Sequence, residues 1–155
     1  MKWVNHSATA ICVAMAVTGH PVISAAAAIA SALPDKIEVF IPFGKHRGIS
    51  HDPALWLPII VVLLAMPFVP MESTSHLAIH GLFQSLAFGA AMGIGMHLIT
   101  DAMSITGIPI FHKYRLAGNL YKTTALSEYI VSACICVTCI LIAFARMALG
   151  INEKY

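Results

Sequence analysis

The chain has 155 residues, 59% of them hydrophobic and only 10% charged, with a formal net charge of +2. A soluble domain carries about 25% charged residues, so this composition excludes a disordered chain, a coiled coil, a collagen-like protein and an ordinary soluble enzyme. It points to a lipid environment, and the length suits one domain over 1–155 rather than two.

In chain order, four apolar stretches stand out at 8–33, 54–70, 77–99 and 129–149, and together they carry one charge, Arg146. The first is interrupted at Gly19-His20-Pro21, where proline lacks an N–H and its ring clashes with the preceding turn. This predicts a helical hairpin with arms 8–18 and 22–33. Each arm rises less than about 20 Å, so the pair dips into a bilayer rather than crossing it. Lys2 followed by an apolar, alanine-rich run imitates a secretory signal. The run is overlong and ends in Leu33-Pro34-Asp35 without a clean cleavage site, so it is read as retained. The other three stretches approach the roughly 20 residues that a spanning helix needs. The expected architecture is all-α: an integral membrane bundle with about four to five membrane-embedded helices.

Between the stretches, histidines and carboxylates recur at short spacing. Leu33-Pro34-Asp35-Lys36-Ile37-Glu38 places two carboxylates three positions apart. They suit a capping box, with Asp35 as N-cap and Glu38 reaching back, or a pair of oxygen ligands for a divalent metal. His46-Arg47-Gly48-Ile49-Ser50-His51-Asp52-Pro53 follows. Asp52 and Pro53 look like an N-cap and first helical position. The guanidinium of Arg47 suits a phosphate, or the whole loop meets lipid head groups as a basic juxtamembrane segment.

The third apolar stretch carries Gly81, Ser85, Gly89 and Gly93 at four-residue intervals, leading to His97 and Asp101. Small residues at that spacing let another helix approach closely in a membrane. Positions i and i+4 share a helix face, so the imidazole of His97 and the carboxylate of Asp101 can grip one ion. His76 and His80 have the same spacing, but His80 lies about 25 Å from His97 along the helix. They are assigned to the opposite membrane surface, with His20. Cys12, Cys134, Cys136 and Cys139 all lie in apolar stretches and are read as small buried hydrophobes.

Charge placement gives the sidedness. The loop 34–53 holds Lys36, Lys45 and Arg47; the loop 100–128 holds Lys113, Arg115 and Lys122; the linker 71–76 holds neither Lys nor Arg. The positive-inside rule puts both long loops in the cytoplasm, and all three polar clusters with them. No basic-aromatic pattern for nucleic acid is present.

These residues carry a resemblance. His6, Leu33-Pro34-Asp35, His46-Arg47-Gly48-Ile49-Ser50-His51 and His97-Leu98-Ile99-Thr100-Asp101, followed by Gly107 and Pro109, resemble the YdjM-like family of bacterial inner-membrane metal-dependent hydrolases. The resemblance runs from His6 to Glu128, which stands where that family tends to carry a glutamate. The family is in turn similar, distantly, to zinc-dependent phospholipases C. The resemblance implies metal ligands at His6, Asp35, His46, His51, His97 and Asp101. Where the family often shows a second aspartate, this chain has Ile37, and Glu38 is the substitute.

The expectation is a multi-pass protein of the bacterial inner membrane. It acts on a small-molecule or lipid phosphoester at the cytoplasmic face, with membrane lipid as its surroundings and a divalent metal, zinc, as cofactor. A metal-activated water is the nucleophile, Asp35 or Glu38 is the general base, and Arg47 holds a phosphoryl oxygen. The rival expectation is a non-enzymatic membrane accessory or assembly protein with a structural metal or none. A transporter would place its ionisable groups at the bilayer midplane rather than gathered at one face.

Overall fold

The computed structural model describes residues 1–40, 48–68, 77–111 and 113–151. His46, Arg47 and His76 lie outside the described residues. Six helices follow one another: α1 (Trp3–Thr18), α2 (Pro21–Ala30), α3 (Leu33–Glu38), α4 (Pro53–Ala65), α5 (Leu77–Met103) and α6 (Leu126–Ala148). A 3-10 turn at Ile49–His51 precedes α4.

The N-terminal hairpin forms as its sequence dictates. Gly19 closes α1 in the left-handed region at φ 67°, its N–H donating to Met15 O, and Pro21 opens α2 at a position where its missing N–H costs nothing. α1 begins at Trp3 rather than near residue 8, which places His6 inside a helix instead of ahead of it. Asp52 caps α4, accepting from Ala54 N at 2.9 Å, as its pairing with Pro53 predicts.

α5 is the axis. It packs against α1, α2 and α4, while α6 lies on α1. The small-residue stripe explains the α2–α5 contact. A Cβ at Gly89 would strike Ile23 O and Ala26 Cβ, and one at Gly93 would strike Ala27 O, whereas Gly81 has open space. The seam therefore uses the half of the stripe nearest His97. Ala30, Trp56, Ile94, Leu98 and Ile108 form one buried cluster, and Ala10, Ala14 and Ala27 a second.

Two expectations need correction. Among the described residues two helices, His80–Met103 and Leu126–Ala148, are long and apolar enough to cross a membrane, rather than four to five. α4 is apolar but has 13 residues, about 20 Å against a hydrocarbon core of about 30 Å. The fold is mostly helical, yet the segment after α5 forms a small antiparallel hairpin, β1 (Ile108–Ile110) with β2 (Tyr114–Leu116), in register Pro109 to Arg115. Gly107, at φ 60°, lets the chain enter it, since a Cβ there would strike Leu116 O.

Candidate metal centre

Five side chains from four elements meet beneath the 3-10 turn: His6 of α1, Asp35 of α3, His51 of the turn, and His97 and Asp101 of α5. Three overlapping triplets, His6-Asp35-His97, His51-His97-Asp101 and Asp35-Glu38-His51, each keep one ligand atom per residue within 4.8 Å of the others. Of the residues expected to bind metal, the structure brings these five together, with Glu38 at the edge.

Each imidazole is held by one nitrogen. His97 Nδ1 lies 2.6 Å from Ser31 O. A carbonyl only accepts, so that nitrogen carries hydrogen, and in the neutral ring Nε2 holds the lone pair. His6 Nδ1 lies 2.9 Å from Thr100 Oγ1. The Thr100 hydroxyl donates back to its own helix, to Met96 O at 2.8 Å and His97 O at 3.0 Å, so His6 Nδ1 is the donor to it. His51 Nδ1 pairs with Ser50 Oγ at 2.9 Å. Fixing one ring nitrogen to a carbonyl or hydroxyl and aiming the other inward is how metal-binding histidines are oriented.

The inward nitrogens face carboxylates. His51 Nε2 lies 3.1 Å from Asp35 Oδ1 and 3.4 Å from Asp101 Oδ2. His97 Nε2 lies 3.5 Å from Asp101 Oδ2 and 3.8 Å from Asp35 Oδ1. His6 Nε2 lies 3.4 Å from Asp101 Oδ1, the oxygen that also takes the Met1 α-amino group at 2.6 Å. The Nε2 atoms of His6 and His97 are buried without a hydrogen-bond partner, which is costly. His51 Nε2 donates to Asp35, while the unpartnered Nε2 atoms of His6 and His97 sit beside carboxylate oxygens, an arrangement that a divalent metal would satisfy.

No family model, curated protein or solved structure matches this chain. Its chemistry is therefore read from the geometry of the centre.

Four of the five groups are closed to solvent: the side chains of His6, His51, His97 and Asp101 are 0–1% exposed, while that of Asp35 is 25% exposed. Burial pushes the Asp35 carboxyl up, but the hydrogen bond from His51 and the nearby His97, His6 and His51 outweigh it, leaving its pKa below the usual value. Asp35 does not act as an N-cap. Ala32 holds that position in α3 without a side-chain bond, and Asp35 lies within the helix, turned toward His51. Glu38 Oε2 reaches 4.0 Å from His51 Nδ1, too far for a hydrogen bond.

Several supporting residues escaped the sequence reading. Ser31 contributes a backbone carbonyl, for which no side-chain pattern could speak. Thr100 lies inside the His97–Asp101 spacing, where a hydroxyl carries no ligand signal of its own. Tyr121 donates from its hydroxyl to Thr100 O, locking the last turn of α5 beside the centre. Glu128, marked only through the family resemblance, accepts from Lys2 N and Asn5 Nδ2 at 2.6 Å each and from Thr124 N at 2.6 Å. It thereby fixes the start of α1, one turn before His6.

Proposed function

We propose that the chain is a membrane-bound, metal-dependent hydrolase acting on a phosphoester at the cytoplasmic face of a bacterial inner membrane, with zinc as the metal. The observation that carries this reading is the convergence of three oriented imidazoles and two carboxylates, two of the imidazole nitrogens being buried and unpartnered. A divalent cation held there supplies Lewis acidity and makes water a nucleophile at neutral pH. Asp35, whose carboxyl pKa burial raises but His51, His97 and His6 lower further, is a carboxylate at the solvent edge and the candidate general base. Arg47 offers its guanidinium to a phosphoryl oxygen from the loop before the 3-10 turn. α5 and α6 anchor the chain in lipid, and the Lys and Arg content of 34–53 and 100–128 favours the cytoplasmic side for the centre.

The alternative is a non-enzymatic accessory protein with a structural metal. Structural zinc is closed by four protein ligands, whereas catalytic zinc keeps a position open. The exposure of Asp35, alone among the five, favours the open kind. The deciding experiment is metal analysis of the detergent-purified protein beside His97→Ala, followed by assay of the loaded protein on phosphomonoester, phosphodiester and phospholipid substrates. Bound metal without turnover on any of them, or no bound metal in the wild type, removes the hydrolase reading and leaves the accessory one.

A further inference from the structure

A second polar site lies at the other end of the bundle. Ser85, which lines it, stands roughly 18 Å from His97 along α5. There a cavity of about 450 Å³ opens between the α1–α2 turn, α5 and α6, lined among others by Thr18, His20, Ser85, Phe88 and Arg146. Arg146 is the one charge in the four apolar stretches. One of its terminal nitrogens donates to Ala16 O at 2.8 Å and to Val17 O, capping the C-terminus of α1. Its Nε is buried without a partner, as is Nδ1 of His20. Among the described residues no carboxylate pairs with this guanidinium. Two carbonyl dipoles do not neutralise a full charge.

The surroundings say what kind of anion fits. Arg146 also borders an apolar groove between α1 and α6, walled by Met15, Ile140, Ala143 and Phe144. That groove continues past Met15 and Ile140 to Cys12 and Cys139. A cavity lined by an arginine and a histidine among apolar side chains, sharing Arg146 with an apolar groove along two helices, matches an amphiphile with an acidic head.

We propose that Arg146 and His20 bind the phosphate of an anionic phospholipid, whose acyl chain lies in the α1–α6 groove. The guanidinium suits a phosphate through its planar donors, and the imidazole adds a hydrogen bond. This site is separate from the metal centre and does not depend on it.

The test is equilibrium binding of dioctanoyl phosphatidylglycerol and dioctanoyl phosphatidylcholine to the full-length protein in neutral detergent, with inorganic phosphate as competitor. The wild type should prefer the anionic lipid by about tenfold, the size of a lost charge-assisted hydrogen bond. Arg146→Gln should abolish that preference, and so should Ser85→Phe, which fills the cavity while leaving the arginine and its α1 contacts in place. Circular dichroism reports folding in each variant. Undiminished preference in a folded variant overturns the proposal. Competition by inorganic phosphate at concentrations equal to the lipid overturns the lipid assignment in favour of a free anion.

Discussion

The ring of His6 stacks on that of His97, with centroids 3.8 Å apart and planes 23° from parallel. One ring comes from α1 and the other from α5, and each is held from behind, by Thr100 and by Ser31 O. Two protonated imidazoles at that separation would repel, so the stack is compatible with neutral rings serving as ligands.

Loss of a ligand should empty the centre. His97→Ala and Asp101→Ala should retain less than about a hundredth of the wild-type metal affinity, more than the loss typical of an outer-shell change. His80→Ala, on the same helix far from the centre, should match the wild type. Inductively coupled plasma mass spectrometry of the purified proteins measures this directly. Equal metal in all three variants would sink the centre.

Orientation should matter almost as much as ligation. Thr100→Val keeps the shape of the side chain but removes the acceptor that fixes the His6 tautomer. Metal affinity should fall about 10- to 100-fold with the helical circular dichroism unchanged. A chelator competition titration reads it; an affinity unaltered by the substitution would show that His6 is not a ligand.

The α2–α5 seam gives a matched pair of substitutions. Gly81→Ala meets nothing within 4 Å and should be neutral or stabilising by up to about 1 kcal/mol. Gly93→Ala drives a methyl into Ala27 O and toward Ser31 N and should cost about 1–3 kcal/mol. Because Ser31 O orients His97, Gly93→Ala should also weaken metal binding. Thermal denaturation in detergent, with and without metal, separates the two effects.

Asp35 links stability to pH. Its folded-state pKa lies below the unfolded value of about 3.9. A depressed carboxylate contributes stability that is fully present above the unfolded pKa and is lost as pH falls through the folded one. In metal-free protein, Asp35→Asn should therefore be less stable than the wild type at pH 7. The gap should close on acidification below about pH 4. A gap that widens in acid would contradict the His51–Asp35 interaction.

Sidedness is the remaining expectation. Lys36→Cys and Lys113→Cys should both resist an impermeant maleimide in intact cells and react after permeabilisation, since their loops share the basic face. Labelling from opposite sides would separate Asp35 from the turn after α5.

Much of this was legible from residues alone. The break at Gly19-His20-Pro21, the cap at Asp52 and the close approach at Gly89 and Gly93 all follow from local backbone rules, and the structure realises each. The gathering of Asp35, His51, His97 and Asp101 was legible because i, i+4 spacing and basic loops placed them at one end. Other features were not. Whether Asp35 caps a helix or faces a histidine depends on where α3 begins, and Pro34 sits in its first turn rather than ending α2. The short pairing of Ile108–Ile110 with Tyr114–Leu116 has too few residues to show an alternating pattern. The number of spanning helices differs because an apolar stretch need not be one helix: within 54–70, α4 ends at Ala65, after 13 residues.

The order in which the polypeptide leaves the ribosome gives the origin of the ligands a temporal meaning. His6, Asp35 and His51 are synthesised early, and His51 contacts Asp35 directly, but His97 and Asp101 come later, in α5. Until α5 emerges, His6 has neither its stacked neighbour His97 nor the carboxylate of Asp101. Two of the three triplets, those that contain His97, are thus complete only once α5 has been made, while Asp35, Glu38 and His51 all precede it.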